Sequence, residues 1–213
     1  MTDVAVIDYG VGNLLSVSRA VVRCGARASV TADPAAILAA DRVILPGVGA
    51  FANGIAALRA NGLDHVVRQV ATAGTPLLGI CLGMQMLLES SDEFGATDGL
   101  GLIPGRVVQI PSYTTTGEIH KIPHIGWNAL VLPPGRDSWD GGLLDGIAAG
   151  EAMYFVHSFM AQPTDPAHRL ADCLYGGLAV SAAVQRGTVL GCQFHPEKSG
   201  EAGLRVLSNF IRR

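Results

Sequence analysis

Three features of the 213-residue sequence predict an α/β fold: a single domain built on a doubly wound, mixed but mainly parallel sheet flanked by helices. Up to Glu89, short continuous apolar runs alternate with helix-patterned stretches, the rhythm of buried parallel strands and crossover helices. Hydrophobic residues make up 49% and charged residues 15%, with a mean hydropathy of +0.35, which excludes a disordered chain and a coiled coil. Beyond Gly95 the runs shorten and turn residues multiply, which reads as a mixed extension of the same sheet.

The elements follow in order. Val4 to Ile7 is a buried strand and 13–24 a helix ended by Gly25. Arg27 to Thr31 is a strand; 33–40 is a short helix with Asp33 as its cap and Pro34 in its first turn. Arg42 to Leu45 is a strand stopped by Pro46, and 50–73 is mostly helical. The apolar run 76–80 leads through Cys81 into a helix over 84–89. Further strands are expected at 107–110, 129–132, 153–158, 170–174, 179–185 and 189–194, with a final helix over 200–212 and an exposed loop over 111–119. No repeat, low-complexity stretch or linker divides the chain, so residues 1–213 are expected to form one domain.

Fifteen Lys plus Arg against eighteen Asp plus Glu give a net charge of −3, and only Lys121 and Lys198 are lysines, so nucleic acid is not an expected partner. No apolar run reaches the roughly 18 to 20 residues of a membrane helix. Met1-Thr2-Asp3 runs straight into an apolar strand, with no secretory pattern, so the cytoplasm is the expected location. There the four cysteines (Cys24, Cys81, Cys173, Cys192) should be thiols, of which one at most needs a chemical role.

That one is Cys81. Gly79-Ile80-Cys81-Leu82-Gly83, at the junction of a buried strand and a helix, has the form of a nucleophile elbow with sulfur in place of oxygen. The tight bend would drive side chains two residues either side of the nucleophile into each other, hence the glycines. The amino end of the following helix favours a thiolate, and the Leu82 amide is free to donate to an oxyanion. Alone, the string is equally a structural cysteine between two glycines that let helix and sheet pack closely. A second string changes that balance. The strand 189–194 ends in His195-Pro196-Glu197, where the proline directs an extended path that sets His195 and Glu197 on one side. The carboxylate can hold one imidazole nitrogen while the other serves a thiol as base.

With these strings the chain resembles the class I (triad) glutamine amidotransferases, Cys81, His195 and Glu197 matching the family's catalytic residues. The resemblance spans essentially the whole chain. Four further segments, 8–13 (DYGVGN), 46–51 (PGVGAF), 123–128 (PHIGWN) and 154–159 (YFVHSF), match a member whose partner is a (β/α)8-barrel cyclase; Phe159 stands where a tyrosine is frequent. Read by itself, Gly10-Val11-Gly12 is a tight turn, since Leu15 stands where a dinucleotide loop has its third glycine.

The resemblance implies that glutamine is the substrate, with no cofactor and no metal. It implies an oxyanion hole from Leu82 and Gly49, completed when a peptide of the Pro46-Gly47-Val48-Gly49 turn reorients. It makes Gln85, Glu93 and the backbone of Ser158 and Phe159 contacts to the substrate's α-amino and α-carboxyl ends. Asn13, Trp127 and Lys198 face the cyclase in a heterodimer. His157, on a strand, is read as a satisfied structural histidine. Two other readings stay open: an amidotransferase subunit of a different pathway, against which the 46–51 and 195–199 strings argue, and a catalytically silent binding module on the same fold, against which the intact Cys81, His195 and Glu197 argue. A metal site from Cys192 and His195 would have only two ligands.

Overall fold

The computed structural model describes residues 1–212. Its first half alternates strands β1 (Asp3–Ile7), β2 (Arg27–Thr31), β3 (Arg42–Leu45) and β4 (Leu77–Ile80) with helices α1 (Leu14–Arg23), α2 (Pro34–Ala39), α3 (Phe51–Ala60) and α4 (Leu63–Thr72). Asp33 caps α2, its carboxylate accepting from the Ala35 amide at 3.1 Å. The expected helical stretch 50–73 is two helices, because the chain passes through Gly62 at φ +66°.

After β4 come α5 (Leu82–Met86), β5 (Leu88–Ser91), β6 (Thr97–Asp98), β7 (Ile103–Gln109), β8 (His124–Val131), β9 (Ala152–His157) and β10 (Phe159–Pro163). The chain closes with β11 (Arg169–Tyr175), β12 (Leu178–Arg186), β13 (Val189–Cys192) and α6 (Gly200–Arg212). Nine strands form one sheet in the order β2-β1-β3-β4-β13-β12-β11-β8-β9. The pairs from β2 to β13 are parallel and those from β13 to β9 antiparallel. Buried apolar side chains pack on both faces, as expected for strands whose four residues are all apolar or glycine, such as β4 and β13.

Two expectations need correction. The extension after Gly95 does not all join that sheet: β10, β7, β5 and β6 form a second, four-stranded sheet. The helix after Cys81 covers 82–86 rather than 84–89, and the Leu87 carbonyl then accepts from the amides of Leu102 and Ile103, drawing Leu88–Ser91 into the second sheet. An apolar run this short fits either structure, and long-range pairing decides it.

Candidate active site

β4 delivers Cys81 to the carboxyl end of the sheet, where its amide donates to the Cys192 carbonyl on β13 at 2.8 Å. The chain then turns directly into α5, and the turn puts Cys81 at φ +54°, the left-handed region that disfavours a residue with a Cβ. Such a conformation costs about 1–3 kcal/mol and persists where the surroundings enforce it. The surroundings here are tight: a Cβ on Gly83 would lie 1.8 Å from the Leu45 carbonyl oxygen, and one on Gly79 would lie 2.7 Å from the Gly83 carbonyl. Close backbone approach thus requires both glycines: Gly79 meets Gly83 across the bend, as the elbow reading expects, whereas Gly83 meets β3, the close packing of helix on sheet that the other reading named.

β13 pairs with β4 with Cys192 opposite Ile80, so the segment that follows β13 emerges one strand from Cys81. His195 is fixed through its backbone: its amide donates to the Tyr154 carbonyl at 2.9 Å, and its carbonyl accepts from Ser199 Oγ at 2.7 Å. The path to Glu197 is not the extended one expected. Strand β13 stops at Cys192, and Pro196–Lys198 form a 3₁₀ turn closed by the Lys198 amide on the His195 carbonyl at 3.0 Å. Pro196 takes the first position of the turn, where an amide hydrogen has no partner to lose. The turn brings Glu197 back to His195, Nδ1 to Oε1 at 2.9 Å, with both side chains buried.

Burial opposes a charge on His195, but the Cys81 sulfur and the Glu197 carboxylate together outweigh it and raise the imidazole pKa from 6.5 to about 9. Nε2, the nitrogen turned away from Glu197, makes no hydrogen bond with the described residues. A ring so placed can take a proton from a thiol and keep it for a leaving group. Burial raises the Cys192 thiol well above its ordinary range and takes Cys173 to about 12.

Cys81 and His195 open into one cleft of about 430 Å³, lined also by Gly49, Leu82, Gln85, Glu93, Ser158 and Phe159. Glu197 stands behind His195. A larger cavity, of about 600 Å³ between α1 and α6, shares no residue with it. Gln85 Nε2 donates to the Phe159 carbonyl at 3.0 Å and to Gln193 Oε1 at 2.9 Å, and Glu93 accepts from the Phe51 amide at 2.6 Å, so one of its oxygens holds the start of α3. Gly49 has φ +93°.

Three supporting residues escaped the sequence reading. Gln193, fully buried, donates to the Cys81 sulfur at 3.6 Å. Tyr9 donates to the Pro46 carbonyl at 2.8 Å and fixes the 46–49 turn; burial, with Cys81 nearby, pushes its phenol up. Ser199 joins Tyr154 to His195. A lone glutamine inside the apolar run 189–194 was the one available sign.

None of the three expected docking residues lines the cleft. Trp127 is 57% exposed and meets Tyr154 edge-on, ring centroids 6.1 Å apart. Lys198 is exposed on the 3₁₀ turn, against which α1 packs, and Asn13, at the start of α1, makes no side-chain cap.

The family described as glutamine amidotransferase class-I matches residues 5–213. The chain is 50% identical over 212 residues to imidazole glycerol phosphate synthase subunit HisH 1 of Legionella pneumophila (strain Lens), with 100% of both chains covered. It is 51% identical over 217 residues to subunit HisH of Methylococcus capsulatus, with 100% of this chain and 97% of that one covered. A solved glutamine amidotransferase superposes over 99% of each chain with a TM-score of 0.72 at 19% identity, a likeness of fold.

Proposed function

The chain belongs to the class-I glutamine amidotransferase family, and from that premise we propose that it is the glutaminase subunit of imidazole glycerol phosphate synthase. It hydrolyses glutamine to glutamate and ammonia and hands the ammonia to a cyclase subunit in histidine biosynthesis. The observation that carries this reading is the cleft in which an elbow cysteine meets a histidine held by a buried glutamate. Relatives of the same name and nearly the same length, about half identical, support the pathway. Residues 1–213 act as one domain, and the four free thiols suit a reducing cytoplasm.

His195 takes the proton of the Cys81 thiol, and the sulfur attacks the side-chain amide carbon of glutamine. A C–S bond forms, and the negative charge gathers on the amide oxygen within reach of the Leu82 and Gly49 amides. His195 returns the proton to the departing nitrogen, the C–N bond breaks, and ammonia leaves a glutamyl thioester. Water then adds to the thioester with His195 as base, releasing glutamate and restoring the thiol. Glu197 keeps the imidazole oriented. Gln85, Glu93 and the Ser158–Phe159 backbone hold the α-amino and α-carboxyl ends of the substrate.

Free ammonia in neutral water is protonated and no longer nucleophilic, so the subunit works docked to the enzyme that consumes it. That partner is a (β/α)8-barrel cyclase, which makes imidazole glycerol phosphate and aminoimidazole carboxamide ribotide. Asn13, Trp127 and Lys198 meet it, and Lys198, next to Glu197 in the chain, links docking to the catalytic turn. Glutamate release, measured with and without the cyclase and its ligand, tests the assignment. Strong stimulation by the cyclase, lost in Cys81→Ala and weakened in Lys198→Ala, is the expected result; undiminished glutamate release in Cys81→Ala refutes it.

A further inference from the structure

Two buried histidines outside the catalytic group stand directly opposite each other on neighbouring strands, His124 on β8 and His157 on β9. His157 Nδ1 lies 2.8 Å from the Phe159 carbonyl, His157 Nε2 lies 3.0 Å from His124 Nδ1, and His124 Nε2 lies 3.2 Å from Asn128 Nδ2. Asn128 Nδ2 also donates to the Leu174 carbonyl at 2.9 Å. The two ends decide the direction of every bond between them. A carbonyl only accepts, so His157 Nδ1 carries its hydrogen, and a neutral ring then leaves Nε2 as an acceptor. His124 Nδ1 must therefore donate, and its Nε2 in turn accepts from the Asn128 amide.

Burial is the main reason both rings are neutral: it lowers each pKa from 6.5 to about 4. Their planes are also set. His124 is stacked against Tyr175, ring centroids 4.0 Å apart, and against Phe155 at 5.0 Å.

Both ends of this chain of bonds have a use. The Phe159 carbonyl also accepts from Gln85, and His157 itself lines the cleft beside Ser158 and Phe159. At the other end, β8 alternates: His124 and Asn128 stand on one face, while Ile125 and Trp127, both more than half exposed, stand on the other. We propose that His124 and His157 are positioning residues for glutamine, forming a one-way hydrogen-bond relay that ties strand β8, with its exposed Trp127, to the Phe159 carbonyl at the substrate cleft. The relay rests on the glutaminase reading above. It fixes the pocket backbone that receives the substrate's α-amino and α-carboxyl ends, and so acts on substrate affinity rather than on the chemical step.

The test has two parts, both on the complex with the cyclase. Long-range proton–nitrogen NMR of the wild type reads the tautomers: the relay requires the Nδ1–H form of both rings at neutral pH, and the Nε2–H form of either ring overturns it. Steady-state kinetics of His157→Phe should show KM for glutamine raised about tenfold, the loss of one or two hydrogen bonds, with kcat nearly unchanged. His157→Asn, whose amide can donate where Nδ1 does, should recover most of that loss. An unchanged KM, a fall confined to kcat, or no recovery by asparagine overturns the relay while wild-type turnover still upholds the glutaminase. Absence of wild-type turnover overturns both. If His157→Phe does not fold, the wild-type tautomers decide.

Discussion

Gln193 is wholly buried and sets its amide nitrogen 3.6 Å from the Cys81 sulfur while its carbonyl oxygen accepts from Gln85. One side chain thus touches both the proposed nucleophile and a residue that lines the cleft. A hydrogen bond to a charged acceptor contributes about 1.5–3 kcal/mol. Gln193→Leu, close in volume and without polar atoms, is expected to lower kcat/KM for glutamine about tenfold or more. It should also slow alkylation of Cys81 by iodoacetamide, a reaction that needs no substrate pocket. Peptide mapping with timed quenching measures it.

His195 and Glu197 are joined by one hydrogen bond but carry unequal loads. Removing a general base costs about 10²- to 10⁴-fold, whereas removing the group that orients it leaves the base present. His195→Ala is therefore expected to reduce glutaminase kcat more than Glu197→Ala does, with circular dichroism showing both folded. A larger loss in Glu197→Ala would reverse the roles assigned to them.

Gly83 makes a sharp prediction for stability, because its Cβ would sit 1.8 Å from a backbone oxygen of Leu45. A carbonyl in a central strand cannot swing aside as a side chain can. Gly83→Ala should cost about 3 kcal/mol, the upper end for overpacking. Urea unfolding of the two proteins compares them directly.

Stability should also fall on the acid side through two identified rings. His124 and His157 have pKa values of about 4 in the folded chain, below the ordinary 6.5 of the unfolded one. Each therefore contributes stability that is complete above pH 6.5 and is lost as the pH falls through 4. His195 runs the other way: its value of about 9 gives a contribution present below pH 6.5 and lost as the pH rises through 9. The thermal midpoint of the wild type is expected to drop between pH 6.5 and 4, and this part of the drop should vanish in His124→Phe/His157→Phe.

The parallel half of the sheet was legible because β1, β3 and β4 are largely apolar runs with clear bounds; the predicted limits of 27–31 and 42–45 are those observed, although β2 itself is mostly polar and exposed. The elbow was legible for a local reason as well, since the bend and the two glycines it requires lie within five consecutive residues. What could not be read was set at long range. Leu88–Ser91 becomes a strand because β7 and β6 lie on either side of it, and the isolated string fits a helix equally well. The 3₁₀ turn at Pro196–Lys198 depends on anchors at Tyr154 and Ser199. Gln193 reaches Cys81 across 112 positions, a proximity that no local pattern encodes.

Strand β13 is the last of the strands in chain order, yet it lies inside the large sheet, between β4 and β12. During synthesis the ribosome therefore makes β4 and its cysteine long before it makes the strand that β4 must pair with. Until β13 is out, the parallel and antiparallel halves each present an open edge, and Cys81 has neither the Cys192 carbonyl to hold its amide nor a histidine beside its sulfur. A nascent chain that has not yet made β13 thus lacks both the pairing that holds the elbow and the histidine that follows that strand: closing the sheet and bringing His195 to the elbow are one event.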